Sequence, residues 1–364
     1  MSYAVIGLGF GDEGKGLITS YLAKKNPSYC VYRFSGGPQA SHKVMLNEKD
    51  WHIFSNFGSG SLHNLPTNIS STCLVDPISM LDELEVLISK GKTNNFFINR
   101  DSVIITPYDV EANAKDHINL THGTCGRGIN KSIQREHNHY SLTFKDLAFP
   151  SVLKLKLEGI RKYYFAAPSQ YEELFLKSCE IIYNHYLRIK NPNGVAYPGY
   201  IYEGSQGLLL DQDIGFFPHV TRAYTGTFNI YWYQPKVFLV TRAYQTRHGN
   251  GPMTNEEHTN FKIKLSKYEH NVSNEFQGNF RKSMLDLDLM KYAIDADDYI
   301  RETEKNIAIT CLDNIEEYKL TENGIVKTFK TEEQFVEHII NALNIEGKVL
   351  LSRTPFTDEV EEFR

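Results

Sequence analysis

Apolar runs alternate with helix-patterned stretches along most of the chain. "YAVIGLG" near the start is a continuous apolar run that breaks on glycine, which predicts a buried strand, and "GKGLITSYLAKK" predicts the helix that follows it. "YCVYRFSGG" predicts a second strand ending in glycines, and "YPGYIYEGSQGLLLD" a strand entering a glycine-rich turn. "SQYEELFLKSCEIIYNHYLRIK" (Ser169 to Lys190) carries the clearest amphipathic spacing, with Ser169 as its expected cap. "KVFLVTRAY" and "NIAITCLD" are further apolar strands, "TEEQFVEHIINALNI" is a late helix and "KVLLS" a final strand. Strands alternating with helices predict an α/β architecture with a largely parallel sheet. The stretch from about Trp51 to Asn130 is less regular and is expected to hold binding loops.

Composition narrows the classes. The chain has 364 residues, 41% hydrophobic and 23% charged, with a formal net charge of −5. That balance suits a globular protein and offers no global basic field for nucleic acid. No run approaches the roughly 18 to 20 apolar residues of a membrane helix, and the start lacks a basic segment followed by an apolar one. The five cysteines are scattered without CxxC spacing, so reduced thiols and a cytoplasmic location are expected. "EHNHY" (Glu136 to Tyr140) reads as a solvated segment, since no third metal ligand accompanies its two histidines.

The chemistry concentrates in "GFGDEGKG" (Gly9 to Gly16), a glycine-rich turn between strand and helix. It matches the dinucleotide fingerprint GxGxxG, but that mechanism wants an acid at the end of the next strand, and "RFSGGPQ" has none. It also matches the phosphate loop GxxxxGK up to Lys15, where Gly16 replaces the hydroxyl that reaches Mg2+. Asp12 can supply that ligand, because a carboxylate is an ordinary partner for Mg2+.

"GDEGKG" followed by "FSGGPQASHKV" resembles the adenylosuccinate synthetase family. "LVDP", "GTCGRGI", "EGSQGLLLDQDIGFFPHVT", "TRHGNGPM", "NEF", "TCLD" and "SRTP" match that family in the same order from end to end. The resemblance implies a P-loop-like central sheet flanked by helices with long inserted binding loops, as a single domain over residues 1–364 that works as a homodimer. It implies joining L-aspartate to IMP with GTP and Mg2+. A carboxylate takes the purine N1 proton, O6 attacks the γ-phosphate, and the amino group of aspartate then displaces phosphate from C6.

Carried onto this sequence, the resemblance makes Asp12 the base and His42 the acid. Gly11, Asp12, Glu13, Gly14, Lys15 and Gly16 would hold the nucleoside triphosphate, with Asp313, Ser352 and Thr354 at its base. The carboxylate of Asp313 can accept from both N1–H and N2–H of guanine, which favours GTP over ATP. The purine monophosphate would be held by Asp12, Lys15, Gln39, His42, Cys125, Arg135, Gln206 and Thr221, with Arg135 expected from the partner subunit. Arg281 would grip one carboxylate of aspartate bidentately, and Asp12 with Ser41 would hold the metal. Most of the thirteen histidines are expected to be satisfied loop or core residues, and Gln206 could equally serve its own turn.

Four places depart from the family pattern. Gln39 and Ser41 replace asparagine and glycine, Cys125 replaces threonine, "VTRAYTGTFN" is much changed, and "NEFQGNFRKSMLD" is shorter than the family's aspartate loop. Some bacteriophage relatives use dGMP and often lack the loop carboxylate; Asp12 here favours IMP and leaves dGMP open. A purine-nucleotide-binding protein without turnover is the rival outside the enzyme class, and the joint presence of Asp12, Lys15 and His42 argues against it.

Overall fold

Parallel pairing accounts for almost the whole central sheet. In the computed structural model, which describes residues 1–92, 95–116, 126–188, 197–271 and 278–364, the strands run in the order Glu361–Glu362, Val349–Leu351, Lys305–Thr310, Lys236–Arg242, Tyr3–Gly7, Tyr200–Gly207, Cys30–Arg33, Thr67–Ile69 and Phe96–Ile98. Among these, only Glu361–Glu362 pairs antiparallel. The expected α/β class with a largely parallel sheet flanked by helices is what the chain adopts.

The first strand shows no alternation because both of its faces are covered. Val5 packs with Leu17, Ile18, Val31 and Phe238 on the side of helix Lys15–Lys25. Ala4 and Ile6 pack with Leu239 and Ile307 on the other side. That helix is buried nearly all round, which is why its apolar residues form no narrow stripe.

Tyr3–Gly7 sits between Tyr200–Gly207 and Lys236–Arg242, so the chain leaves it toward one half of the sheet and returns to the other. In open parallel sheets ligands bind beyond the carboxyl ends of the strands at such a switch point. Because the strands are parallel, the segments after Gly7, Arg33, Gly207, Arg242, Thr310 and Leu351 all emerge at one edge.

Two expectations change. "KVFLVTRAY" is not one strand: Lys236–Arg242 stays in the central sheet, Ala243 donates to the Thr310 carbonyl (2.9 Å), and Tyr244–His248 departs into a second sheet. That sheet runs Tyr244–His248, Phe280–Asp286, Tyr318–Glu322, Ile325–Phe329. The stretch from Trp51 to Asn130 is also more regular than its sequence suggests. It contains two strands of the central sheet and the helices Pro77–Ser89 and Pro107–Ala114. Asp76 and Thr106 cap those helices ahead of a first-turn proline, a start signal legible in "VDP" and "ITP". Helix Glu172–Arg188 falls inside the expected span, and Ser169 Oγ accepts from the Tyr171 amide (3.2 Å) just before it. Residues 189 and 190 lie outside the described ones.

Arg135 corrects a sequence expectation here. Its side chain is fully buried and donates to Asp109 from Nε (2.9 Å) and Nη2 (3.2 Å), and to the carbonyls of Tyr140 (2.7 Å) and Ile104 (2.6 Å). Asp109 also accepts from Thr106 and Tyr164. With four of its donors committed to this fold-holding network, Arg135 is not presented to a phosphate. Removing one partner of a buried ion pair leaves the other charge uncompensated, at about 3–5 kcal/mol. Asp109→Ala should therefore lower the unfolding free energy by about that amount in a urea titration. A midpoint like that of the parent would show that the pair does not hold this region.

Candidate active site

The segments leaving the sheet edge enclose one cavity of about 670 Å³, a size that suits a nucleotide-scale ligand. Its wall includes residues 10–17, 39–43, 205–206, 217–222, 247–251, 266, 268–271, 310–311, 313–314, 352 and 354–355.

The glycine loop is shaped by its own acid. Glu13, buried, accepts from the amides of Gly9 (3.1 Å) and Gly11 (2.8 Å) with one oxygen and from Lys15 Nζ (2.6 Å) with the other. Gly11, Asp12 and Gly14 take positive φ of 94°, 61° and 96°. The loop carbonyls are already taken by protein donors: Gly9 O accepts from Leu209 N, Gly11 O from Thr246, Asp12 O from Arg242 Nε and Glu13 O from Thr310. The first-turn amides of helix Lys15–Lys25 have no intrahelical partner and carry the positive end of the helix dipole. A loop with its carbonyls so taken and these amides free of helix partners is a cradle for phosphate.

Asp12 is partly exposed in the cavity and lies 3.3 Å from His248 Nε2 through Oδ2. Burial alone would raise its carboxyl, but His248, Arg242 and Lys15 outweigh that and hold it below the usual range. Asp12 is thus an ionised carboxylate in a ligand-sized cavity.

His42 opens a short strand, His42–Met45, and its Nδ1 lies 2.7 Å from Glu203 Oε1. Glu203 is completely buried within strand Tyr200–Gly207, and Ser59 also donates to it from both its amide (2.9 Å) and its hydroxyl. Burial would raise the Glu203 carboxyl, yet His42, Arg33 and Ser59 keep it low. An ionised acceptor assigns the proton to Nδ1 and leaves Nε2 toward the cavity without a described partner. Burial pushes the imidazole below its usual value, and Glu203 pulls it partway back.

Buried polar groups are normally satisfied. Here the Gln39 amide at both ends, Gln206 Oε1 and His42 Nε2 are buried without a partner among the described residues, and all three side chains line the cavity. Neutral donors and acceptors converging on one space point to a ligand that completes them.

The family model for adenylosuccinate synthetase matches residues 4–349. The chain belongs to the adenylosuccinate synthetase family. The enzyme of Thermoplasma acidophilum is 28% identical, over 92% of this chain and 78% of that protein. The one from Buchnera aphidicola is 31% identical, over 80% and 73%. The fully ligated adenylosuccinate synthetase from Plasmodium falciparum shares the fold, with TM-score 0.77 at 17% identity over the whole of both chains. So does the succinoaminodeoxyadenylate synthetase of cyanophage S-2L, a structure bound to dGMP and dATP, with TM-score 0.67 at 14% identity over 99% and 95%. Membership in the adenylosuccinate synthetase family places the chain among ligases of purine biosynthesis. Among the described residues, no helix is long and apolar enough to cross a membrane.

Against the adenylosuccinate synthetase pattern, the structure brings most expected residues together. Gly11 to Gly16, Gln39, Ser41, His42, Gln206, Thr221, Asp313, Ser352 and Thr354 all line the cavity. The Glu13 carboxylate is the exception within the loop, since it is spent on the loop's own amides and Lys15. Ser41 is exposed, with its hydroxyl 3.4 Å from His270 Nε2. Cys125 lies outside the described residues. Arg281, expected to grip aspartate, is not on the cavity wall. It forks onto Glu256 through Nε (2.9 Å) and Nη2, and Nη1 donates to the carbonyls of Gly249 (2.8 Å) and Gly251 (2.7 Å). Four of its donors are committed, so its guanidinium meets no dicarboxylate in this arrangement.

Sequence reasoning missed four residues that shape the site. Glu203 had a signal, a lone acid inside the apolar strand "YIYEG". Arg242, buried and paired with Glu269 (2.7 Å), follows an apolar strand in the same way. His248 lay inside "TRHGNGPM", a segment matched to the family but not read residue by residue, and Glu269 carried no signal because the segment around it matches no motif.

Glu13→Ala would leave two loop amides and a buried lysine without their partner. Each unsatisfied buried group costs about 1–3 kcal/mol. Chemical denaturation should show a loss of at least ~2 kcal/mol, and an unchanged midpoint would remove Glu13 from its holding role.

Proposed function

We propose that this chain acts as one catalytic unit over residues 1–364, working as a homodimer, that joins L-aspartate to C6 of IMP while GTP becomes GDP and phosphate. The observation that carries this reading is the cavity itself. It sets an ionised carboxylate, a phosphate cradle and a histidine whose Nε2 has no described partner on one wall with the unpartnered Gln39 amide and Gln206 Oε1, in a chain of the adenylosuccinate synthetase family.

Asp12 accepts the purine N1 proton, so charge develops on O6, and O6 attacks the γ-phosphorus as GDP departs. His42 Nε2, carrying a proton when the ring is charged, donates at the β,γ-bridge. Glu203 holds the imidazole by Nδ1 and stabilises that charged form. The amino nitrogen of aspartate, having released a proton, then attacks C6, the C6–O6 bond breaks and phosphate leaves. Lys15 and the loop amides neutralise charge at the transferring phosphoryl group. Gln39 and Gln206 orient the purine, and Thr221 lies at the same wall. Asp313, exposed into the cavity, would read guanine, with Ser352 and Thr354 beside it.

The donor set fits Mg2+, which usually takes one or two carboxylates and fills its remaining positions with phosphate and water. Asp12, with Ser41, would hold the ion. When bound it supplies charge neutralisation on the triphosphate.

Phosphate release should require GTP, a 6-oxopurine monophosphate and aspartate together, and the product should carry the succinyl mass. Triphosphate hydrolysis equally fast without a monophosphate would overturn the ligase reading, and a faster rate with dGMP than with IMP would reassign the acceptor. Asp12→Asn should remain folded and lose at least ~10²–10⁴-fold in turnover.

Asp313→Asn should weaken GTP binding by about tenfold or more. A charge-assisted hydrogen bond contributes about 1.5–3 kcal/mol, and about 1.4 kcal/mol is a factor of ten. Unchanged GTP affinity in a calorimetric titration would move base recognition elsewhere.

A further inference from the structure

We propose that His248 is a positioning residue for the Asp12 carboxylate, an inference that rests on Asp12 being the base. The backbone of Asp12 is fixed from the strand-to-strand passage that follows the central sheet. Arg242 holds its carbonyl and Thr246 holds that of Gly11. The carboxylate receives its only described side-chain contact at ion-pair distance from the same passage, His248 Nε2 at 3.3 Å from Oδ2. Three grips on two adjacent loop residues therefore come from one element, Arg242 to His248.

His248 is itself well anchored. It ends strand Tyr244–His248, its backbone pairs with Phe280, and its ring lies tilted on the Phe280 ring with centroids 5.0 Å apart. A contact at one oxygen restricts rotation of the carboxylate and leaves the other oxygen free to meet the purine N1–H. Catalytic groups need to be held within about 0.5 Å and 10–20° of the productive geometry, and a displacement of about 1 Å can cost on the order of 10²-fold in rate. The pair is partly solvent-exposed, so it contributes little to stability. Its consequence lies in orientation.

The test compares His248→Ala, His248→Gln and Asp12→Asn with the double variant Asp12→Asn/His248→Ala. The readouts are kcat and KM for phosphate release with monophosphate, GTP and aspartate, the melting temperature, and monophosphate affinity by calorimetry without GTP. His248→Ala should lose about 10- to 100-fold in kcat, with both nucleotide KM values and the calorimetric affinity within about twofold and the melt unchanged. His248→Gln, whose amide can reach toward the same oxygen, should recover most of the loss. In the Asp12→Asn background, removing His248 should cost nothing further. Wild-type kcat in His248→Ala, no recovery with Gln, a loss confined to KM, or a full second loss in the double variant would each overturn the proposal. A parent protein with no monophosphate-dependent turnover would instead overturn the role of Asp12, and this inference with it.

Discussion

The Glu13 carboxylate is the contact on which the site depends. Its two oxygens gather the amides of Gly9 and Gly11 and the ammonium of Lys15 into one buried knot at the carboxyl end of the central strand. A side chain at Gly7 or Gly207 would collide with that carboxylate, so two neighbouring strands must end in glycine where they flank it. The loop turns back through three positive-φ residues because its inner amides are held there. Its carbonyls then reach Leu209, Thr246, Arg242 and Thr310, which binds the loop to three other strand ends. Phosphate-facing geometry and sheet geometry are thus one construction.

Part of the positive charge on the cavity wall is paired before any ligand arrives, and part is not. Lys15 pairs with Glu13 and Arg242 with Glu269, and His42 is held by hydrogen bond to Glu203. Among the described residues, the buried Arg247 guanidinium donates only to the carbonyls of Pro252 and His219. The buried atoms without a described partner include the Gln39 amide, Gln206 Oε1 and His42 Nε2, and also Arg247 Nε and His248 Nδ1. A purine edge can satisfy the first three directly. A triphosphate meeting Lys15 and Arg242 must share each with its carboxylate, so that part of its binding energy depends on negative charge strong enough to compete. That division suits phosphoryl transfer, in which interactions that strengthen as charge develops are the ones that accelerate the chemical step.

The central sheet, its first helix and the phosphate loop were legible because each has a local cause: unbroken apolar runs, glycines where φ must be positive, a lysine at the helix start. Motif order identified the family for the same reason. What escaped depends on distant partners. Arg135 looked like a phosphate ligand until Asp109, 26 positions away in the chain, took its guanidinium. Arg281 looked like an aspartate ligand, and Glu256 and two glycine carbonyls took it instead. A sequence shows that a cation is present but not which acceptor it folds against. The strand break at Ala243 was hidden similarly, since "KVFLVTRAY" stays apolar across the point where it changes sheets.

That break divides the chemistry physically. Of the residues proposed for phosphoryl transfer, Asp12 and Lys15 follow the central strand of the parallel sheet, and His42, which opens a separate antiparallel pair of strands, is tied to that sheet through Glu203. Arg281 belongs to the second sheet, and the segment carrying Glu269 and His270 runs between two of its strands. A site on a rigid element keeps its geometry, whereas connecting segments accept insertion and substitution with little effect on the core. Within "NEFQGNFRKSMLD", Phe280–Asp286 is a strand of that second sheet, and the glycine loop keeps its acid and its lysine. The bridge between the halves is the Arg242–His248 passage, which holds Gly11 and Asp12 and begins the sheet that carries Arg281.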